Sequence, residues 1–175
     1  MMIASPAPRR LLVQLSRLMP FLILVLIAGA STGEEIGVMQ FPDGEVQHVV
    51  RFANTPWGPC PPTLPNGCEM AVLDGDPQSE DLFTVRFRIA DGLVMPPHWH
   101  PKDERVTIIS GTAAVAFGAD TDRRDATEFG PGDYYVNARD AVHQVWIDGD
   151  TILQITGIGP WKVIPVKETP PASNP

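Results

Sequence analysis

Phe83, Val85, Phe87 and Ile89 alternate with Thr84, Arg86 and Arg88, so residues 82–89 carry an apolar face and a polar face, the period of a half-buried β-strand. The same period returns at Asp140-Ala-Val-His143-Gln-Val-Trp-Ile147, where His143, Val145 and Ile147 share one face and Val142, Gln144 and Trp146 the other. Apolar and β-branched runs predict further strands at 46–52, 70–73, 104–111, 112–117, 126–129, 134–137, 151–158 and 161–166. Turn chemistry separates them: Asp74-Gly-Asp-Pro77, a polar loop at 118–125, and Gly130-Pro-Gly-Asp133. Helical periodicity is absent from residue 31 onward. Many short strands joined by turns predict an all-β closed barrel or sandwich, because closure removes exposed edges. The phenylalanines place Arg86 and Arg88 on a solvated or interface face. Tyr134 and Tyr135, being adjacent, face opposite ways, one of them inward.

Ahead of this pattern the composition differs. Arg9, Arg10 and Arg17 accompany an almost wholly apolar stretch, Leu18 to Ala28, and Ala28-Gly29-Ala30 offers an A-x-A cleavage site. Residues 1–30 read as a signal peptide, with a mature chain beginning near Ser31 that is periplasmic or secreted. An uncleaved anchor is the alternative, but the apolar stretch to Ala30 is thirteen residues, where a bilayer takes about 20. No stable membrane anchor is expected after cleavage. Arg9-Arg10 leaves twin-arginine export open beside the general secretory route, which the pattern fits better.

The leader holds three arginines and no acid, so the remaining 145 residues carry ten basic and twenty-one acidic side chains, a net charge of −11. That length suits one domain, and that acidity argues against nucleic acid and anionic membranes as partners. The organisation expected is a leader at 1–30, amino-terminal strands and a proline-rich loop at 31–81, a barrel core at 82–166 and a flexible tail at 167–175. Cys60 and Cys68 bracket Pro-Pro-Thr-Leu-Pro-Asn-Gly. In an exported chain this pair is most simply a disulfide, contributing about 2–3 kcal/mol by loop entropy. Two free thiols are the alternative, and the spacing is not that of a C-x2-C metal site.

The chemistry gathers in Gly92-Leu-Val-Met-Pro-Pro-His98-Trp-His100-Pro-Lys-Asp-Glu104. His98 and His100, two apart on an extended chain, point the same way, and the turn-like Pro101-Lys-Asp103 brings the Glu104 carboxylate back towards them. Imidazole nitrogen and carboxylate oxygen suit one divalent zinc, manganese, iron, cobalt, nickel or copper ion. His143 is the expected fourth ligand, which leaves only His48 of the four histidines outside the set. A lone histidine on an apolar strand face is otherwise a hydrogen-bonded core residue. Trp99 and Trp146 should point away from the metal, to packing or to a contact between two copies.

These residues resemble the cupin superfamily. Its first motif, G-x5-H-x-H-x3-E-x6-G, is matched in full by Gly92, His98, His100, Glu104 and Gly111. The second, G-x5-P-x-G-x2-H-x3-N, is met at Gly132 and His143, with Ala138, Asp140 and Ile147 at the other fixed positions. The flanks look like those of small single-domain bacterial cupins. The resemblance implies a double-stranded β-helix, or jelly-roll barrel, with a metal in its mouth. Three histidines and a glutamate leave open positions on an octahedral ion. That arrangement suits a dioxygenase, or a decarboxylase, isomerase or lyase, acting on a small oxygenated acid or phenol, with Glu104 as ligand or proton shuttle. A non-catalytic binding or sensing module is the alternative, and a purely structural metal a third reading.

Overall fold

The computed structural model describes residues 36–166; the expected leader at 1–30 and tail at 167–175 lie outside the described residues. Among the described residues there are nine strands, β1 (Gly58–Pro59), β2 (Cys68–Asp74), β3 (Leu82–Ile89), β4 (Val94–Trp99), β5 (Glu104–Phe117), β6 (Thr127–Phe129), β7 (Tyr134–Asn137), β8 (His143–Ile158) and β9 (Ile164–Pro165). The only helical pieces among the described residues are short 3-10 turns at Phe52–Asn54 and Arg123–Asp125.

Two long strands organise the others. The first part of β8 pairs with β4 and its second part with β3, while β5 runs antiparallel beside it from Phe117↔His143 to Arg105↔Thr156. β7 pairs with Glu104–Thr107 of β5, and β6 with Ala113–Val115. β5 and β8 thus run through two sheets, β1-β2-β3-β8-β5-β7 and β9-β4-β8-β5-β6, and curl them into an all-β barrel of the jelly-roll type. The bend lies at Gly111, where the register shifts between Ser110 and Thr112 opposite residues 148–152 of β8. Gly111 has φ +76° and Gly149 has φ +72°, so each glycine bulges a strand instead of ending it. For that reason the strands expected separately at 104–111 and 112–117 are one strand, and so are those around 143–147 and 151–158.

The alternation expected over 82–89 is present. Phe83, Val85 and Phe87 are buried and meet Val106, Ile108 and Ala113 of β5 and Ile147, Leu153 and Ile155 of β8 in one core. Each large apolar side chain so buried contributes about 1.5–3 kcal/mol. Arg86 and Arg88 lie outside, donating to Gln154 and Glu69 respectively. The strand expected at 46–52 is absent: residues 45–51 pair with no sheet, and Val46 is 92 % exposed. An apolar run becomes a strand only where an edge accepts it. β1 covers only Glu69 and Met70 of the β2 edge, and residues 45–51 meet the rest of it through the His48 side chain at Leu73 O without forming a ladder. The stretch expected at 161–166 is a strand only over β9. Cys60 and Cys68 are joined by a disulfide across the neck of the β1–β2 hairpin.

Candidate metal centre

Strand register brings the candidate ligands together as two cross-strand pairs. His98 of β4 lies opposite His143 of β8, and Glu104, opening β5, lies opposite Asn137, closing β7. His100 follows β4 directly. All five side chains are buried: His98 is 5 % exposed, His100 2 %, Glu104 6 %, Asn137 2 % and His143 1 %. One ring nitrogen from each of the three histidines lies within 4.8 Å of the others. His48 stands apart, exposed, with Nε2 2.7 Å from the Leu73 carbonyl.

Each clustered imidazole is held by a backbone carbonyl: His98 Nδ1 lies 2.8 Å from Pro96 O, His100 Nδ1 2.7 Å from Lys162 O and His143 Nδ1 3.0 Å from Ala141 O. A carbonyl only accepts, so each Nδ1 carries the proton and, in the neutral ring, each Nε2 presents a lone pair. Burial, then the neighbouring His143 and His100, push His98 down to about 3. Burial also lowers His143, against the pull of Glu104. Burial alone would raise the Glu104 carboxyl, but the imidazoles of His100, His143 and His98 and the Asn137 amide hold it below its ordinary value. Its Oε1 is 3.4 Å from His100 Nε2 and its Oε2 3.7 Å from His143 Nε2. Buried acceptors facing one another need a positive centre between them. His100 Nε2 has no hydrogen-bond partner, which is the state of a ligand atom aimed at an ion. The donor set therefore fits a divalent transition metal.

Asn137 is the residue that sequence reasoning missed. Its Nδ2 donates to Glu104 Oε2 at 3.0 Å and lies 3.1 Å from His143 Nε2, so it orients both groups. It belongs to neither motif, and only its register with Glu104 reveals it. Asn137→Ala is expected to weaken zinc binding about 10- to 100-fold, the usual effect of losing a partner of a metal ligand. Asn137→Leu, which keeps the volume without the donor, should do the same. Titration calorimetry of the metal-free protein with zinc measures both, and wild-type affinity in the leucine variant would reduce Asn137 to a packing role.

Two further supports come from outside the first motif. Trp161 stacks on His100, with centroids 5.9 Å apart and planes at 14°. Asp140, at the glycine position of the second motif, adopts the left-handed φ of 63° that the turn requires, and its N–H donates to the His100 carbonyl at 2.8 Å. Aspartate tolerates that conformation better than most residues.

Low folded-state affinity of His98 for a proton sets an acid sensitivity. Between about pH 6.5 and about pH 3 the unfolded chain protonates this ring while the folded one refuses. The stability it confers is complete above that window and is lost as pH falls through it. Glu104 acts in the same sense at the acid end. The urea midpoint of the metal-free protein should drop steadily across the window. In a His98→Phe variant the drop should be smaller, and an equal drop would remove His98 as its source.

The cluster opens on a cavity of about 90 Å³. Its lining is mainly apolar, including Phe87, Leu93, Met95, Val145 and Leu153, and among the described residues contains no Lys or Arg. Tyr135 lines it, whereas Tyr134 is 59 % exposed. Burial and the Glu104 charge push the Tyr135 phenol up, so it stays a protonated donor. Neither Trp99 nor Trp146 lines the cavity.

The barrel is similar to solved structures. An acetylacetone dioxygenase from Acinetobacter johnsonii superposes with a TM-score of 0.57 at 17 % identity, covering 78 % of this chain and 91 % of that one. A polyketide cyclase from Streptomyces resistomycificus gives 0.53 at 15 %, covering 69 % and 86 %. An RmlC-like cupin from Shewanella frigidimarina gives 0.51 at 15 %, covering 65 % and 91 %. At these identities the likeness establishes the fold. No curated protein matches the chain in sequence. The sequence profile of the ChrR cupin-like domain matches residues 45–162, taking in the β1–β2 hairpin, His98, His100, Glu104 and His143, and Trp161 beside His100. With the fold and most of its length in agreement, the chain belongs to the cupin superfamily as a member of the ChrR cupin-like domain family.

Proposed function

We propose that this protein is an exported metal-dependent enzyme, in which His98, His100, Glu104 and His143 hold one divalent transition metal facing a small oxygenated substrate. One observation carries the reading: three imidazoles with their Nδ1 atoms tied to carbonyls gather one ring nitrogen each, beside a buried carboxylate, at the wall of an apolar cavity, and His100 Nε2 has no hydrogen-bond partner there. The ion would supply Lewis acidity, or redox chemistry if it is iron or copper. The lining favours a phenol or another uncharged oxygen donor over a carboxylic acid, because no cationic side chain is present to meet a carboxylate. Apolar walls exclude water and hold the hydrocarbon part. Tyr135 O–H is available to a substrate oxygen, and Glu104 either stays a ligand or takes a proton. That structural neighbours include a dioxygenase and a cyclase supports enzymatic use of this barrel, without selecting the reaction.

The test is metal analysis of protein purified from its native compartment, joined to oxygen-uptake and product assays on phenols, β-diketones and small acids. Stoichiometric metal with turnover supports the enzyme. Metal with saturable binding and no turnover supports a binding or sensing module, and folded protein that takes up no metal overturns the proposal. Export is supported by the leader composition and the disulfide. A native intact mass beginning near Ser31 is expected, and one retaining residues 1–30 would reject cleavage.

A further inference from the structure

The cavity has one wall that does not come from the barrel core. Residues 60–67 link β1 to β2, and the Cys60–Cys68 disulfide clasps the neck of this hairpin. Its tip turns inward: Leu64 packs against the hydrophobic core, and Leu64, Pro65 and Cys68 line the same cavity as His98, His100 and Glu104. The tip is stiff. Pro61, Pro62 and Pro65 restrict its backbone. Leu64 N–H donates to Pro61 O at 2.9 Å, and Gly67 O accepts from Ala90 N–H at 2.8 Å, fastening the tip to the end of β3.

We propose that this clasped tip, through Leu64 and Pro65, determines which substrates the metal site admits, setting an upper size for an uncharged, mainly hydrocarbon molecule, an inference that rests on the proposed function for its link to chemistry. Three properties support it. The lining atoms of the tip are apolar, so it contributes shape and not charge. Its shape is held by the disulfide and the internal Leu64–Pro61 hydrogen bond, and its seat by two strand pairings and the Ala90–Gly67 hydrogen bond, so it does not simply yield to a larger ligand. It stands more than thirty residues before the first metal-facing histidine, so a change in the tip leaves the ligand segment itself unaltered.

The experiment has two arms. In the first, the Kd values of acetylacetone and the bulkier benzoylacetone are measured on cobalt(II)-loaded protein by visible absorption, for wild type, Leu64→Ala and Leu64→Trp. Leu64→Ala should shift the ratio about tenfold towards benzoylacetone and Leu64→Trp should shift it the other way, the scale on which small changes of an apolar pocket discriminate. A Cys60→Ser/Cys68→Ser variant, or wild type after reduction, should resemble Leu64→Ala. In the second arm, benzene and naphthalene are titrated into metal-free protein and followed by NMR, which reads the wall independently of any ion. Unchanged ratios in both Leu64 variants in both arms overturn the inference. Failure of wild type to bind cobalt overturns the metal site instead, and the hydrocarbon arm then decides the role of the tip.

Discussion

Replacing His98 and His143 together with alanine is expected to remove bound metal and all metal-dependent turnover while leaving a folded barrel. The two rings are cross-strand neighbours with centroids 4.2 Å apart, so the double variant takes away half of the proposed ligands at one place. Folding should survive because the core rests on Phe83, Val85, Phe87, Val106, Ile108, Ile147 and Leu153, none of which is a proposed ligand. A domain of this size does not depend on a metal for its core, unlike much smaller metallo-domains. Against metal-free wild type the melting temperature should move only a few degrees; against the loaded protein it should fall further, by the binding energy of the ion. Metal analysis, circular dichroism and the activity panel on one preparation read all three. Retained metal would reject these ligands, an unfolded variant would make the ion structural, and turnover without metal would place the chemistry elsewhere.

The second large effect is expected at Gly111. A Cβ there would stand 2.2 Å from Thr151 Oγ1, 2.6 Å from Thr151 Cα and 2.7 Å from the Asp150 carbonyl oxygen. Thr151 is fully buried and cannot step aside, since its hydroxyl receives the Thr112 N–H at 3.1 Å and lies 3.0 Å from Gly149 O. Gly111→Ala therefore combines a left-handed backbone, about 1–2 kcal/mol, with overpacking of about 1–3 kcal/mol. A loss of roughly 3–4 kcal/mol is a large part of the 5–15 kcal/mol typical of a domain. Gly92 and Gly132 serve as internal comparisons. They have φ values of +75° and +92°, with nothing within 4 Å of an added Cβ, so alanine at either should cost only the backbone part. Urea midpoints of the three variants give the ranking, and equal values would show that the bend at Gly111 relaxes freely.

Much of the site was legible because its residues obey local rules. A spacing of two puts His98 and His100 on one side of the chain, and the alternation around His143 puts it on the face that also carries Val145 and Ile147, all lining the cavity. The strand 82–89 was legible for the same reason, one face being buried. What escaped depends on non-local facts. Gly111 and the Asp148-Gly-Asp150 stretch carry the chemistry of turns, yet each lies within a long strand, because the partner strand continues past it. Val46 to Phe52 has strand composition yet pairs with no strand, which composition alone does not reveal. Asn137 carries no spacing signal, and its part in the site follows only from the β5–β7 register. Asp140 shows the limit of reading a motif by letters: the turn keeps the conformation of a glycine that the chain does not have.

The pairing of β8 with β3, β4 and β5 imposes an order of assembly. A chain emerging from synthesis displays His98, His100 and Glu104 within seven residues, whereas His143 follows 39 residues after Glu104. The strand that carries His143 docks only when its partners and its own far end, to Ile158, are available. For the ligand set proposed here, the unfinished chain is a short, exposed three-donor chelator with no walls. Selection by cavity shape begins only at barrel closure. Which ion is retained is then decided by the metals present where closure occurs.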